Sequence, residues 1–253
     1  MPTSPVDGPF PSARGNLSRE RVLTAAVRFV DEQGLRALTM RGLAAELGVE
    51  AMALYRYVPS REKLLDGVVE TVVDELYSDP DVQLRPDGDW QDYLRHLARG
   101  VRRLAIAHPE VFPIVATRPP AAPWIRPPLR SLRWVEAFLD ALLSRGFPDA
   151  GAVAAYRAFS SFLLGHLLLE VSAKGVDTGP VDEPDPPKDA TAAARKATSV
   201  PGLESYPQLL RLAPELAQDH AEAEFESSLD NLLERIAELS SAGTDGRPPH
   251  RIP

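Results

Sequence analysis

The stretch from Thr39 to Val58, TMRGLAAELGVEAMALYRYV, constrains the fold of this chain more than any other. Leu43, Ala44 and Leu47 recur at helical spacing. Gly48 follows them, and glycine accepts the positive φ with which many helices end. A second short apolar segment begins directly afterwards. The pattern predicts two short helices joined by a tight turn, which is the helix-turn-helix arrangement of many DNA-binding proteins.

Four ordered pieces between Leu17 and Leu76 resemble the N-terminal domain of the TetR (tetracycline repressor) family of transcription regulators. They read AAVRFVDEQG, LTMRGLAAELGV, LYRYV and SREKLLDGVV. The C-terminal part more loosely resembles the regulatory domain of the tetracycline repressor, in DW at Asp89, ATRP at Ala116 and FLLG at Phe162. The resemblance implies an all-α fold, with an N-terminal three-helix DNA-binding domain and a larger helical ligand-binding and dimerisation domain.

Breaks in composition set the expected domain boundaries. Residues 17–78 are assigned to the DNA-binding domain and residues 79–241 to the ligand-binding and dimerisation domain. The two tails, 1–16 and 242–253, are predicted to be disordered. Residues 174–201 are dense in Pro, Asp, Ala, Lys and Thr, and they are predicted to form a mobile loop.

Apolar residues at helical spacing predict helices along most of the remaining chain. Ser18 and Thr39 are expected N-caps, Gly34 is an expected helix end, and Glu50 is expected to cap the second helix of the turn motif. The longer predicted helices run from Arg61 to about Tyr77, from Trp90 to His108, from Leu129 to Ser144, from Ala150 to about Ala173 and from about Asp219 to Leu239.

Charge is distributed unevenly along the chain. The net charge is −8, which by itself argues against nucleic acid as a partner. The segment from Arg14 to Lys63 holds nine basic and six acidic residues, so it carries +3 and the remainder carries −11. One end that meets phosphate would explain this asymmetry, and so would an ordinary solvated helical surface.

The sequence disfavours several other classes of protein. The absence of cysteine suits a cytoplasmic protein, and no apolar run approaches the roughly 18 residues of a membrane span. No nucleophile elbow, Walker loop or dinucleotide fingerprint is present, so no catalytic residue and no cofactor is expected. The five histidines lack metal-ligand spacing, and no metal site is expected. His108 is interpreted as a helix-end cap and His166 as a core or interface residue.

The resemblance assigns the residues that read DNA. Arg56 suits a bidentate contact to guanine, and small or apolar side chains suit contact with a thymine methyl group. Three residues have alternative interpretations: Tyr55 as packing, Met52 as an exposed helix residue, and Arg41 as a partner of Glu46. The complete set of DNA-binding candidates is Thr39, Arg41, Ala51, Met52, Ala53, Tyr55, Arg56, Tyr57 and Arg61.

The resemblance also assigns a ligand site. The positions that hold the magnesium–drug chelate in the tetracycline repressor are apolar here, at Leu97, Ile114, Phe138 and Leu169. We therefore expect an apolar effector rather than tetracycline, with Thr117 and Tyr156 as possible polar anchors. The candidate ligand-binding residues are Leu97, Val101, Ile114, Thr117, Val135, Phe138, Leu139, Val153 and Tyr156.

The resemblance implies a homodimeric repressor that binds a palindromic double-stranded DNA operator and releases it when a small, largely apolar molecule binds. The dimer is expected to form through helices 150–173 and 219–239, whose apolar stripes would otherwise serve as a core within one chain. The alternative is a helical small-molecule-binding or protein-interaction protein whose helix-turn-helix no longer binds DNA.

Overall fold

All regular secondary structure that the structure describes is helical, as predicted. The computed structural model describes residues 17–82, 89–118, 125, 132–176 and 205–241. The helices within these ranges are α1 (Arg19–Gln33), α2 (Met40–Glu46), α3 (Ala51–Leu54), α4 (Arg61–Ser78), α5 (Trp90–Ala107), α6 (Phe112–Thr117), α7 (Leu132–Leu143), α8 (Asp149–Ala173), α9 (Pro207–Leu216) and α10 (Ala221–Ser241), with a 3₁₀ turn at Leu35–Ala37.

Three predicted segments lie wholly or mostly outside the described residues. They are the tails 1–16 and 242–253 and the loop 174–201, of which only the first three residues are described. The expected boundary between residues 78 and 79 falls at the end of α4. The division into two domains stays a prediction.

The first three helices begin and end where the local sequence requires. The Ser18 hydroxyl accepts a hydrogen bond from the Arg21 amide at 3.1 Å, and the Thr39 hydroxyl accepts one from the Gly42 amide at 3.0 Å, so both N-caps are confirmed. Gly34 ends α1 with a φ of 82°. Glu50 precedes α3 but forms no side-chain cap, and that expectation was wrong.

Helices α4 and α8 make most of the contacts between the helices that the structure describes. Helix α4 packs against α1 in the N-terminal part (α1 to α4). It also packs against α5 and α6 in the larger part (α5 to α10). Its contact with α1 is close, because a Cβ on Gly67 would lie 2.5 Å from a methyl carbon of Leu23. Helix α8 packs against α5, α6, α7 and α10 and forms the centre of the larger part.

Two features of the larger part depart from the expectation. Helix α8 has the length and apolar composition of a membrane span, so the expectation that no segment approached that length was wrong; its packing against four other helices accounts for its composition. Helix α9 was not predicted. Its residues are exposed, and Pro214, which disfavours a helix interior, lies inside it.

Candidate nucleic-acid interface and regulatory cavity

The turn between α2 and α3 fixes the orientation of a short exposed helix. Gly48 has a φ of +67°, the left-handed conformation that glycine adopts without strain. Leu43 in α2 and Leu54 in α3 are fully buried, and they anchor the two helices to the core of the N-terminal part. The opposite side of α3 faces outward, since Met52 is 74% exposed.

The DNA-binding candidates divide into two groups by exposure. Arg41, Met52, Tyr55 and Arg56 are exposed, while the other five are half-buried. Two of the half-buried residues already have structural roles, because the Thr39 hydroxyl caps α2 and the Arg61 Nε donates to the Leu38 carbonyl at 3.4 Å. The half-buried candidates are Thr39, Ala51, Ala53, Tyr57 and Arg61.

The alternative partner for Arg41 is already engaged by another residue. The Glu46 carboxylate forms an ion pair of 2.7 Å with Arg28 of α1. Within the described part of the chain, neither Arg41 nor Arg56 forms an ion pair, so both guanidinium groups are available for an external anion. Arginine in this state suits contact with phosphate or with guanine.

A largely apolar cavity of about 70 Å³ lies between α4 and the helices α5 to α8. Four of its lining residues were predicted from the sequence: Leu97, Val101, Phe138 and Tyr156. Tyr156 packs edge-on against Phe138, with ring centroids 5.6 Å apart, and burial raises the pKa of its hydroxyl. The cavity is therefore closed mainly by apolar and aromatic side chains.

The other five predicted ligand-binding residues do not line this cavity. Ile114 and Val135 are buried elsewhere in the core, and Leu139 is half-buried. Val153 and Thr117 are exposed. The Thr117 hydroxyl donates to the Pro113 carbonyl at 2.7 Å, so it serves its own helix instead of anchoring a ligand in the cavity.

Sequence reasoning missed the wall that α4 contributes to the cavity. Val69, Val73 and Leu76 line it, and all three belong to α4, the next helix after α3. The signal was present in the broad apolar face of α4, which is wider than contact with α1 alone requires. The remaining lining residues are Leu104, Val115, Trp134, Phe159, Ser160, Leu163 and Leu164.

An arginine at the end of α6 ties the larger part to α4. The Arg118 Nε lies 2.7 Å from an Asp66 oxygen, and a terminal nitrogen of Arg118 donates to both the Glu62 carbonyl and its carboxylate. Arg118 and Asp66 are both largely buried, with 12% and 14% of their side chains exposed. Arg118 therefore connects the end of α6 to the first two turns of α4.

A histidine at the end of α5 forms a second tie. The His108 Nδ1 lies 2.7 Å from an Asp31 oxygen in α1, and its Nε2 lies 3.2 Å from a Glu75 oxygen in α4. The hydrogen bond to Asp31 raises the pKa of His108, although partial burial opposes that effect. His108 is the C-cap of α5, as predicted, and its backbone amide donates to the Leu104 carbonyl; its ring pairs with carboxylates from two other helices and not with the last carbonyls of α5.

A ladder of ion pairs joins α5 to α8 and α10. Arg102 binds Glu170 through two hydrogen bonds of 3.1 and 3.0 Å, and this pair is largely buried. Burial raises the pKa of Glu170, but hydrogen bonding and the charges of Arg102 and Lys174 lower it further, so the net shift is downward. On the same side of α5, Arg99 pairs with Glu226 near the surface.

Among the described residues, no group of three or more His, Asp or Glu side chains is arranged to hold a metal ion. The ring of His166 lies 5.5 Å from that of Phe162 and 5.4 Å from that of Phe225, so this histidine packs among aromatic side chains between α8 and α10.

An exposed helix-turn-helix beside a helical part with an apolar cavity defines a DNA-binding protein with a regulatory domain. Comparison with known families makes the class specific. The family described as "Bacterial regulatory proteins, tetR family" matches residues 22–68, and "Tetracyclin repressor-like, C-terminal domain" matches residues 83–239, more than half of the chain. The chain belongs to the TetR family of bacterial transcriptional regulators, and both resemblances are confirmed.

Individual relatives agree with this assignment. The chain is 32% identical over 161 residues to the HTH-type transcriptional repressor DrrR1 of Streptomyces coeruleorubidus, a match that covers 64% of this chain but little more than half, 55%, of that relative. A possible TetR family transcriptional regulator from Streptomyces coelicolor is 30% identical with a TM-score of 0.67, covering 88% of this chain and 100% of that one. ActR of Streptomyces coelicolor in complex with actinorhodin is 26% identical with a TM-score of 0.63, covering 91% and 100%.

Proposed function

We propose that this protein is a ligand-responsive transcriptional repressor that releases a palindromic operator when a small, largely apolar molecule binds its regulatory domain. Residues 17–78 bind DNA, and residues 79–241 bind the effector and dimerise. The protein acts in the cytoplasm, where its DNA target lies, and we assign it no catalytic activity. The single observation that carries the proposal is that α4, which is the next helix after α3 and begins at Arg61, also lines the cavity.

The DNA-binding role rests on the outward side of α3. Met52 of α3 is exposed, as are Arg41 in α2 and Arg56 just after α3, while the buried Leu54 anchors α3 to the core. Arg56 reads guanine and Met52 meets an apolar base edge in the major groove. Backbone amides at the start of α4, together with Arg61, contact phosphate.

The dimer rests on the outward face of α8 and on α10. Ala158, Ser161 and Gly165 are small and exposed, and a Cβ on Gly165 would meet nothing within 4 Å. Leu169 on the same helix is 73% exposed and adds an apolar side chain to this face. A second copy packed on this face would cover Leu169. It would also place the α3 helices of the two copies roughly 34 Å apart on DNA.

The regulatory step follows from the size of the cavity. A volume of about 70 Å³ is far below the roughly 300–1,000 Å³ of ordinary small-molecule pockets. An effector must therefore push the walls apart, and α4 is one of them. Displacing α4 changes the spacing of the two reading helices, and a preference of about 1–3 kcal/mol for the displaced state would weaken operator binding some 5- to 150-fold. The actinorhodin complex of ActR supports a small molecule in this role.

Selection of bound sites from a random duplex library tests the proposal. The enriched site is then titrated with wild-type protein, with Arg56→Ala, and with Arg211→Ala as a control that removes the same charge from exposed helix α9. We expect a palindrome whose affinity falls about 10-fold or more with Arg56→Ala, since a bidentate base contact contributes about 1–3 kcal/mol. No enrichment, or equal loss with both variants, contradicts sequence-specific binding.

A further inference from the structure

His108 lies where three helices meet. It follows the last residue of α5, and its ring lies between Asp31 of α1 and Glu75 of α4. The Nδ1 atom is 2.7 Å from an Asp31 oxygen and the Nε2 atom is 3.2 Å from a Glu75 oxygen, so each ring nitrogen has a carboxylate within hydrogen-bond distance. One side chain of the larger part therefore holds both α1 and α4 of the N-terminal part.

The two contacts together need a protonated ring. A neutral imidazole carries one N–H, so it would donate to one carboxylate and turn a lone pair towards the other. An imidazolium donates from both nitrogens, and hydrogen bonds between ionised groups are stronger than neutral ones. The hydrogen bond to Asp31 accordingly raises the pKa of His108. The proton on this ring is part of the tie, and histidine is the side chain that gains or loses a proton near neutral pH.

The arginines on the neighbouring stretches of α1 and α5 pair with other carboxylates. Arg28 of α1 pairs with Glu46, and Arg103 of α5 pairs with Asp79. Within the described part of the chain, the ion pairs of these two arginines therefore supply no substitute for the charge of His108.

The carboxylates around the ring concentrate negative charge. The Asp31 side chain is 22% exposed, and its Oδ1 is buried without a hydrogen bond to any residue that the structure describes, whereas Glu75 is 53% exposed. Glu110, two residues after His108, brings a third carboxylate to the end of α1, with an oxygen 3.6 Å from the place that a Cβ on Gly34 would take. A neutral ring would leave these like charges without a cation between them.

The contact to α4 is the one that a neutral ring gives up. Asp31 is closer to the ring and more buried than Glu75, so it retains the single remaining donor. Glu75 lies in the last turn of α4, directly before Leu76, which lines the cavity. Loss of the proton therefore releases from α5 the helix that joins the cavity to the DNA-binding part.

We propose that His108 is a positioning residue for operator binding: as an imidazolium it holds α1 and α4 against the end of α5, and loss of its proton frees α4 and weakens operator binding. A preorganised DNA-binding part loses less conformational freedom when it binds, so freeing α4 lowers operator affinity. This inference rests on the proposed function, and it adds a proton-dependent control that lies outside the cavity.

The direction of the pH effect follows from the favoured state of the ring. The folded protein raises the pKa of His108, so its contribution to operator affinity is present below the ordinary histidine value of about 6.5. The contribution is lost as the pH rises through the raised pKa. Operator affinity should therefore fall as the solution becomes more alkaline.

Titration of the selected operator from about pH 6 to about pH 9 tests the inference. Full-length wild type is compared with His108→Gln, which is never charged, and with His108→Arg, which is always charged and can donate to both carboxylates. We expect the wild type to bind like the arginine variant at low pH and like the glutamine variant at high pH, with a difference of about 5-fold or more between these limits. The two variants should show only the pH dependence that they share.

A matched control and a readout without DNA accompany the titration. His220→Gln changes an exposed histidine beside Gln218, and it should reproduce the wild-type profile. Nuclear magnetic resonance of histidine-labelled protein identifies the His108 signal by its absence from His108→Gln. That signal should titrate above about 6.5, and Glu75→Gln should lower its pKa, because the substitution removes one of the two carboxylates.

A His108 pKa at or below about 6.5, or the same pH profile of operator binding in the wild type and both His108 variants, would overturn the inference. Circular dichroism at each pH shows whether the compared proteins are folded. If His108→Gln does not fold, the arginine variant still decides, because a wild-type profile parallel to its own contradicts a titrating tie.

The operator selection separates this inference from the proposed function. Failure to enrich any site would refute both of them. An enriched operator that the wild type and the His108 variants bind with the same pH dependence would retain the function and refute only the role of His108.

Discussion

Removing one partner of the buried pair of Arg102 and Glu170 should destabilise the protein far more than breaking a surface ion pair does. Their side chains are 17% and 5% exposed, and two hydrogen bonds of 3.1 and 3.0 Å join them. Removing one partner of a buried pair typically costs about 3–5 kcal/mol, because the other charge stays buried without compensation. Lys174 lies 3.5 Å from a Glu170 oxygen and would partly compensate, so we expect Arg102→Leu to cost about 2–3 kcal/mol.

The double variant separates the buried charge from the lost contact. Replacing both Arg102 and Glu170 with leucine leaves no buried charge at this place, and such replacements are often neutral, so we expect a stability within about 1 kcal/mol of the wild type. The control is Arg99→Leu, which breaks the more exposed pair with Glu226 and should cost at most about 1 kcal/mol.

Urea unfolding followed by circular dichroism measures these differences, at one fixed protein concentration because dimerisation would link stability to concentration. The pH dependence supplies a second check. The pKa of Glu170 is lowered in the folded protein, so its stabilising contribution is present above the ordinary glutamate pKa of about 4.3 and is lost as the pH falls through the folded value. A cost below about 1 kcal/mol for Arg102→Leu, or additive costs in the double variant, would refute the reasoning.

Three further predictions concern the N-terminal part and its tie to α5. Pairing with Asp31 raises the pKa of His108, so its contribution to stability is present below about pH 6.5 and is lost as the pH rises through the pKa of the folded protein. The urea midpoints of wild type and His108→Gln should therefore converge by about pH 9. Gly67→Ala should destabilise the protein by about 1 kcal/mol although alanine has the better helix propensity, because the new Cβ would lie 2.5 Å from Leu23. A higher thermal midpoint for this variant would contradict the packing of α1 on α4. Thr39→Ala removes the α2 cap and should cost about 1 kcal/mol in the same denaturation assay, whereas Thr39→Ser should cost little.

Short-range sequence signals made the helix-turn-helix and the helix before it predictable. Ser18, Thr39 and Gly48 act through hydrogen bonds and backbone conformations that involve only neighbouring residues, so their roles follow from residue type and spacing. The long helices were predictable for the same reason, since apolar periodicity is a local property. Helix α9 was missed because it contains Pro214, a residue that normally argues against a helix interior.

The ties between the two parts of the molecule could not be predicted in this way. Asp31 and His108 are 77 positions apart, and Arg118 and Asp66 are 52 positions apart, so nothing in the local sequence marks them as partners. Charged residues are common on helices, and a pairing emerges only when packing fixes which faces meet. The pairing of the His108 ring with Asp31 and Glu75 was missed for this reason.

The sequence by itself determined the helical fold class, the turn at Gly48 and the family, because each depends on residue types at short, fixed spacings. The tertiary structure alone decided which residues enclose the cavity, and it replaced Thr117 and Val153 with α4 residues such as Val73. Which side of a helix faces a cavity depends on how several helices pack at once, and one-dimensional spacing does not contain that information.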